Sequence, residues 1–212
     1  MKLLVLVRHG ETEWNHDNRV QGSMDVPLSS RGRAQAEALA QELLRRREAY
    51  DRIYTSDLKR AGETARILAT RLGGPEVAVD PLLREMDCGR WEGLSIDDLR
   101  EREPEGWRRW MDDPAFRVPG GESILDVRER ARAFLEGRRE ELQGAERVMV
   151  VAHGLLNRMI LSEIMAIEPQ RARFFATDNA SFARFRWSRG RVFCDGWNVG
   201  CPEAEASGPP EG

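Results

Sequence analysis

Arg8-His9-Gly10-Glu11-Thr12-Glu13-Trp14-Asn15 directly follows five apolar residues, Leu3-Leu4-Val5-Leu6-Val7. The apolar run is too short to cross a membrane, and an unbroken run of this length predicts a strand that is buried on both faces, as in a parallel sheet. In open α/β sheets, ligands bind beyond the carboxyl ends of the strands. We therefore expect Arg8 and His9 to lie at the ligand-binding edge of a sheet.

A second predicted strand ends in the same way, because residues 147–152 are followed by His153-Gly154. Parallel strands end at one edge of a sheet, so His9 and His153 can meet there despite their distance in sequence. A glycine after each histidine lets the backbone turn closely into the next segment. The alternative is a pair of ordinary strand-end histidines, but the repeated strand-His-Gly pattern favours a functional site. A zinc site is disfavoured, since the chain has no HxH, HExxH or CxxC spacing.

The remaining periodicities alternate between strand and helix. Helical apolar stripes occur at 36–43, 58–72, 127–142 and 155–165, further strands are predicted at 52–55 and 77–79, and residues 181–195 predict a hairpin at the sheet edge. Ser29 or Ser30 is expected to cap the first helix, and Ser56 or Asp57 the second. The pattern predicts an α/β fold, a three-layer α/β/α sandwich with a mostly parallel central sheet.

The composition indicates a single globular domain over residues 1–201. A segment at about 95–120, interrupted at Pro104 and Pro114, predicts a small cap insertion, and residues 202–212 predict a disordered tail. The 41% apolar and 33% charged residues are ordinary for a globular protein. A net charge of -3 argues against a nucleic-acid partner, and the lack of a long apolar run argues against a membrane partner.

The cysteines favour a reducing compartment. The chain has three of them, Cys88, Cys194 and Cys201, without the spacing of a disulfide framework or a zinc site. Arg8 and His9 interrupt the N-terminal apolar run well short of a signal peptide. We therefore expect a cytoplasmic protein. Cys88 could be an oxidation-sensitive thiol, but a small buried side chain is the preferred interpretation.

Arg60 lies in the first turn of the predicted helix that follows the strand at 52–55. A cation at this place does not complement the helix dipole, which suggests a functional role, with a surface ion pair as the alternative. Arg8, Arg60 and the amides at the start of the helix after His153, which include Gly154 and Leu155, would together form a pocket for a dianion.

These residues belong to a series of ordered blocks that resembles the histidine phosphatase superfamily, in its phosphoglycerate-mutase-like branch. The resemblance covers residues from about 1 to 200. The blocks are Arg8 to Asn15, Gln21-Gly22 with Asp25 to Ser29, Ser56 to Ala65, Leu83 to Glu85 with Gly89 to Gly93, Gly120 to Ser123, and Ala152 to Gly154.

The resemblance implies a role for each matching residue. His9 is the nucleophile that becomes phosphohistidine, Arg8, Arg60 and His153 hold the phosphate, and Glu85 gives a proton to the leaving oxygen. The residues implied near the phosphate or substrate are Asn15, Gln21, Gly22, Gly154 and Leu155. The implied partner is a small-molecule phosphomonoester, with no metal and no organic cofactor. A homodimer is compatible with the scaffold, and the sequence does not decide the oligomeric state.

The implied chemistry suits these residue types, because phosphoryl transfer depends mostly on positioning and on stabilising charge over three oxygens. His9 must be neutral to attack, and the flanking arginines favour its neutral form. His153 can add a contact to the phosphate if the dianion keeps it protonated. Glu85 is expected beside apolar neighbours such as Met86 and Trp91.

A phosphomonoesterase is the preferred function, with a 2,3-bisphosphoglycerate-dependent phosphoglycerate mutase as the alternative. The resembling mutases have Arg-His-Tyr at the positions where this chain has Met86-Asp87-Cys88. The apolar and acidic side chains of this chain would not stabilise a second phosphate. Arg108-Arg109 could mimic paired mutase arginines, but a solvated helix face is the preferred interpretation. A regulatory member that has lost catalysis is disfavoured, because all five implied catalytic residues are present.

The sequence does not identify the substrate. The resemblance implies several candidate substrates, which include sugar phosphates, phosphoglycerate derivatives and α-ribazole phosphate. Large apolar side chains suggest that the leaving group has an apolar or stackable surface. The candidates to line the mouth of the site are Trp14, Met24, Trp91, Trp107, Trp110 and Phe116. The alternative is that most of the aromatic side chains pack the cap onto the core.

Overall fold

The computed structural model describes residues 2–200, and the tail predicted at 202–212 lies outside these residues. Its strands are β1 (Leu3–Arg8), β2 (Arg52–Thr55), β3 (Val77–Val79), β4 (Arg147–Ala152), β5 (Phe182–Ser188) and β6 (Arg191–Val199). They form one sheet in the order β3-β2-β4-β1-β5-β6. The strands from β3 to β1 run parallel, and β5 and β6 are antiparallel neighbours at one edge. The predicted α/β sheet and its edge hairpin are thus confirmed.

In chain order, the helices of the described range are α1 (Glu13–His16), α2 (Ser30–Arg45), α3 (Lys59–Leu72), α4 (Ile96–Arg102), α5 (Pro104–Asp112), α6 (Ile124–Gly137), α7 (Arg139–Gly144), α8 (Gly154–Met165) and α9 (Pro169–Ala172). Short 3₁₀ turns occupy Pro81–Leu83 and Gly89–Trp91. None of the helices in residues 2–200 is long and apolar enough to cross a membrane.

Alternate residues of β1 divide the core into two halves. Leu4 and Leu6 pack on the face covered by α6, α7, α8 and α9, whereas Leu3, Val5 and Val7 pack on the face covered by α2 and α3. All five side chains are at most 5% exposed. A strand that is buried on both faces needs apolar residues at every position, which explains the unbroken run in the sequence. The three-layer arrangement follows.

The register of the two central strands brings the histidines together. Val7 of β1 lies opposite Val151 of β4, and Arg8 lies opposite Ala152. One residue further, the His9 amide donates to the carbonyl of Ala152 at 3.0 Å. Both strands therefore end at the same edge of the sheet, as the sequence predicts.

Several local predictions differ from the structure. Ser29 caps α2 by accepting from the Gly32 amide, as expected. The predicted cap of α3 by Ser56 or Asp57 is wrong, because Leu58 holds the N-cap position and the distant Asp25 accepts from the Lys59 amide at 2.7 Å. The stripe at 127–142 is divided between α6 and α7. Helix α1 was not predicted, although its Thr12–Asn15 capping box is visible in the sequence.

The segment at 95–120 contains α4 and α5, with Pro104 at the first position of α5. Proline suits this position because its missing N–H has no partner within the helix. Three aromatic side chains of the segment contact one another or Trp91, namely Trp107, Trp110 and Phe116. Side chains of both helices line one cavity with Arg8 and His9, so the helices lie over the edge of the sheet where β1 and β4 end.

Candidate active site

His9 is buried, with 3% of its surface exposed, in the loop directly after β1. Its Nδ1 lies 2.7 Å from the carbonyl oxygen of Gly10. Because a carbonyl only accepts, this contact assigns the ring proton of the neutral imidazole to Nδ1. The lone pair is then on Nε2, the nitrogen on the other side of the ring.

Arg60 holds that second nitrogen. Its Nε donates to His9 Nε2 at 3.2 Å, while Nη1 and Nη2 donate to the carbonyls of Met24 and Gly22 at 2.6 and 2.8 Å. Arg60 as a whole is 1% exposed, so the alternative of a surface ion pair does not apply. Gly22 can present its carbonyl because it adopts φ +53°, and an added Cβ would lie 2.2 Å from Glu92 Oε1.

Arg8 and His153 place unpaired donors beside His9. The Nη1 atom of Arg8 donates to the carbonyl of Thr177 at 2.5 Å, but its buried Nε has no partner among residues 2–200. The His153 ring is fully buried with its centroid 5.1 Å from that of His9, and neither of its nitrogens has a partner there. Buried donors without partners destabilise a fold by about 1–3 kcal/mol each, so they are retained for a reason outside packing.

The charges of the site favour neutral histidines. Burial, then Arg60 and Arg8, hold the pKa of His9 well below 6.5. The same causes, with His9 itself, hold the pKa of His153 well below 6.5, so the protein's own groups do not produce the charged His153 that the sequence suggested. A neutral ring still offers one N–H donor. Burial and the nearby Arg158 lower the pKa of Arg8 to about 10, which leaves it protonated at neutral pH.

Glu85 lies at the start of α8 and lines the same cavity as Met86 and Trp91. Its carboxylate accepts from the amides of Met86, Leu155 and Leu156 at 3.0, 3.0 and 3.2 Å. The expected neighbours Met86 and Trp91 do line the cavity beside Glu85, but the three backbone amides that bind its carboxylate were not predicted. The Leu155 amide thus donates to Glu85, whereas the sequence analysis expected it to donate to the bound dianion. The helix N-terminus positions the carboxylate, since its free amides attract negative charge.

Asn15 and Gln21 are both tied to Thr12. Asn15 Oδ1 accepts from the Thr12 amide at 3.2 Å, and Gln21 Oε1 accepts from the Thr12 hydroxyl at 2.9 Å. Asn179 also donates to Asn15 Oδ1, at 3.2 Å. The carbonyl ends of both side-chain amides are thus bound within the protein, and their NH₂ ends remain for a ligand.

A cavity of about 240 Å³ opens in front of His9. Of the predicted site residues, it is lined by Arg8, His9, Asn15, Gln21, Gly22, Arg60, Glu85 and Leu155. His153 and Gly154 do not line it. A Cβ added to Gly154 would lie 3.7 Å from Arg8 Nε, which is an ordinary contact. The expectation that a close approach of the backbone requires a glycine here is therefore not met.

Only some of the residues predicted to line the mouth of the site line this cavity. Trp91, Trp107 and Trp110 line it, whereas Trp14, Met24 and Phe116 are not among its lining residues. Cys88 lines it as well, and burial followed by the charge of Glu85 raises the pKa of its thiol, which disfavours a reactive thiolate. Within residues 2–200, no group of three or more His, Cys, Asp or Glu side chains is placed to hold a metal ion.

Several residues that support the active-site loop were not predicted from the sequence. Asn179 donates to the His9 carbonyl at 3.1 Å, and the Thr64 hydroxyl accepts from the Gly10 amide at 3.1 Å. Arg158 donates from Nε to the Thr177 hydroxyl at 2.9 Å. Its position four residues after Gly154, one turn along α8, is a helical spacing that could have placed it near the site. Asn179 lies in irregular chain and has no such signal.

Comparison with known proteins shows the family to which the chain belongs. The model of the histidine phosphatase superfamily (branch 1) matches residues 4–200. Phosphoserine phosphatase 1 of Hydrogenobacter thermophilus is 37% identical over 202 residues, which cover 95% of this chain and 94% of the relative. A probable phosphoglycerate mutase GpmB of Cronobacter sakazakii is 37% identical over 201 residues, which cover 94% and 91%.

A solved structure agrees with these relatives. The mycobacterial glucosyl-3-phosphoglycerate phosphatase, in complex with VO3, superimposes with a TM-score of 0.81 at 34% identity. The match covers 94% of this chain and 100% of that protein. Because the family model matches nearly the whole described chain and a relative of 37% identity covers 95% of it, the chain belongs to branch 1 of the histidine phosphatase superfamily.

Proposed function

We propose that this protein is a phosphomonoesterase that hydrolyses a small phosphorylated metabolite through a phosphohistidine intermediate on His9. The observation that carries the proposal is the group of unpaired buried donors beside His9, on Arg8 and His153. A phosphate dianion supplies acceptor oxygens to several donors at once, which would satisfy them. The relatives named as phosphatases support the same reaction class.

In the first half-reaction, His9 Nε2 attacks the phosphorus atom. The Nδ1–H to Gly10 hydrogen bond keeps the lone pair on Nε2 and fixes the direction of the ring. A nitrogen–phosphorus bond forms and the bond between phosphorus and the ester oxygen breaks. Arg60 releases Nε2 and donates to the transferring group, together with Arg8 and His153, so that charge on the three equatorial oxygens is stabilised.

Glu85 serves both half-reactions in this proposal. In its protonated form it gives a proton to the leaving alkoxide, and as a carboxylate it then takes a proton from the water that attacks phosphohistidine. Inorganic phosphate and neutral His9 are released. The NH₂ groups of Asn15 and Gln21 add donors at the rim of the phosphate site. No step requires a metal or an organic cofactor.

Phosphoglycerate mutase activity is the second candidate, which the similarity to the mutase-named relative favours. A mutase must hold a second anionic group and keep water from phosphohistidine. Arg108 and Arg109, which could have served that purpose, are both exposed and do not line the cavity. This observation favours hydrolysis over transfer.

The test is a metal-free assay of phosphomonoesters in the presence of EDTA. We expect wild-type protein to release phosphate and to form an acid-labile phosphoenzyme, and the His9→Ala variant to do neither. The His16→Ala variant changes an exposed histidine and is the matched control. Unchanged hydrolysis in His9→Ala would contradict the mechanism. Conversion of 3-phosphoglycerate only with 2,3-bisphosphoglycerate would assign a mutase instead.

A further inference from the structure

The part of the cavity beyond the phosphate-binding groups is mostly apolar. Its wall is formed by three tryptophans and three aliphatic or thioether side chains, namely Trp91, Trp107, Trp110, Met86, Ile96 and Leu99. We call these six residues the apolar wall. Met86, Trp91 and Leu99 are at most 4% exposed and belong to the core, and the half-buried Trp107 and Trp110 pack against it.

Trp110 is the centre of the apolar wall. Its ring centroid lies 5.3 Å from that of Trp107 at 34° and 6.4 Å from that of Trp91 at 80°. The guanidinium of Arg173 lies 4.0 Å from the centroid of the Trp110 ring. A cation over an indole face is attracted by the ring quadrupole, so this contact restrains the ring.

The backbone behind Trp110 is also fixed. Arg173, which is 4% exposed, donates from Nη1 to the carbonyls of Trp110 and Met111. Gln170 donates from Nε2 to the Met111 carbonyl at 2.8 Å. The end of α5 is therefore held by the segment that follows α8. A wall that is held in place before binding loses little conformational freedom when a ligand packs on it.

The same cavity offers little positive charge for a second anionic group. Besides Arg8 and Arg60, Arg19 is the cation among the residues that line it within the described range. Arg19 already donates from Nη1 to the Gly93 carbonyl at 2.9 Å and lies 3.7 Å from the Asp17 carboxylate. A leaving group with a carboxylate or a second phosphate would therefore lose hydration without gaining a fixed cationic partner.

We propose that the leaving alcohol of the substrate carries one flat, uncharged ring, which packs against the apolar wall at Trp107 and Trp110. This inference rests on the proposed phosphomonoesterase activity. The cavity, with a volume of about 240 Å³, has room for a phosphate and a small ring system. Offset or edge-to-face contact with the indoles would supply the preference.

The test compares four alkyl phosphates, of which propyl and 3-phenylpropyl phosphate have leaving alcohols of similar acidity, so that the chemical step is matched between these two. The esters are propyl phosphate, 3-phenylpropyl phosphate, O-phosphoserine and 3-phosphoglycerate. We expect kcat/KM for 3-phenylpropyl phosphate to exceed that of each other ester by about tenfold. In the Trp110→Leu variant this ratio should fall towards one, whereas Trp187→Leu, a change on β5 away from the cavity, should retain it.

A binding measurement keeps the inference separate from the reaction. With the His9→Ala variant, we expect calorimetry to show 3-phenylpropylphosphonate binding about tenfold more tightly than propylphosphonate. Equal affinities, or a kinetic preference for O-phosphoserine or 3-phosphoglycerate, would overturn the ring site and leave the phosphatase intact. Hydrolysis that is absent from wild-type protein, with the binding preference retained, would overturn the proposed function and leave the ring site.

Discussion

Arg60 donates a hydrogen bond from Nε to Nε2 of His9, at 3.2 Å, in a site where both side chains are buried. An arginine in this position can only donate, so the histidine nitrogen that it contacts must carry a lone pair. The contact thus requires the protonation state that a nucleophile needs. It also explains why a cation lies in the first turn of α3, where it does not complement the helix dipole.

The Arg60→Gln variant tests how far this arginine keeps His9 neutral. Burial is the largest cause of the lowered pKa of His9, and Arg60 is the next. We therefore expect the substitution to raise the pKa of His9 towards 6.5 without reaching it, as measured by NMR titration of the ring. Arg109→Gln, which changes an exposed arginine of α5, is the control. An unchanged His9 titration in Arg60→Gln would show that burial alone is sufficient.

The stability of the fold should fall as the pH falls below 6.5. The pKa values of His9 and His153 are both lowered in the folded state, while the unfolded chain has ordinary values near 6.5. At pH 7.5 neither state is charged at these residues, so the effect vanishes. Below 6.5 the unfolded state binds protons that the folded state does not, and each histidine lowers the free energy of unfolding by about 1.4 kcal/mol at pH 5.5.

Urea denaturation at pH 7.5 and 5.5 measures this dependence. We expect wild-type protein to lose about 3 kcal/mol between the two pH values from the two histidines. The His153→Gln variant should lose about half as much, because one of the two groups is gone. A wild-type protein that is equally stable at both pH values would contradict the buried, neutral state of the pair.

Much of this site could be predicted from the sequence because its elements are regular. The apolar runs before His9 and His153 are explained by burial on both faces, and parallel pairing alone brings their ends together. Arg60 could be placed because it lies a fixed distance after a strand. Its hydrogen bonds to the carbonyls of Met24 and Gly22 could not be predicted, since these residues lie in a loop that has no periodicity.

The hydrogen bonds of Glu85 show where such prediction fails. Met86 and Trp91 line its cavity as expected, but the sequence did not predict that backbone amides of α8, about 70 residues away, would bind the carboxylate. The cap of α3 was missed for the same reason, because the acceptor for Lys59 comes from Asp25 in a loop. Local propensity carries no information about these long-range bonds, which the tertiary fold decides.

Glu85→Gln should separate the two half-reactions. The amide can occupy the same place but cannot transfer a proton, so kcat for alkyl phosphates should fall by about 10²–10⁴. With p-nitrophenyl phosphate, whose leaving group needs no proton, we expect a burst of product followed by slow turnover as phosphohistidine accumulates. Rapid-quench measurements detect both. Glu92→Gln is the matched control, because Glu92 also accepts from backbone amides, those of Ser23 and Cys88.

A burst is the decisive feature of this experiment. If Glu85→Gln slows p-nitrophenyl phosphate and alkyl phosphates by the same factor and shows no burst, Glu85 acts in neither proton transfer. In that case its bonds to α8 would be structural, and the proton donor must be sought elsewhere in the cavity.

Gly32 tests the close contact between α2 and the loop that carries His9. A Cβ added to Gly32 would lie 2.0 Å from the Glu11 carbonyl oxygen, and one added to Gly10 would lie 2.3 Å from the Gly32 carbonyl oxygen. Because backbone lies on both sides, Gly32→Ala must move the loop, and we expect it to lower the free energy of unfolding by about 1–3 kcal/mol and to lower kcat as His9 shifts.

Gly137→Ala is the control, at the end of α6 with no atom within 4 Å of the new Cβ. It should instead stabilise the fold by about 0.4–1 kcal/mol and leave kcat unchanged. Thermal or urea unfolding of both variants, with parallel assays, decides the matter, since a Gly32→Ala protein as stable and active as wild type would show that the loop position is not what holds the nucleophile.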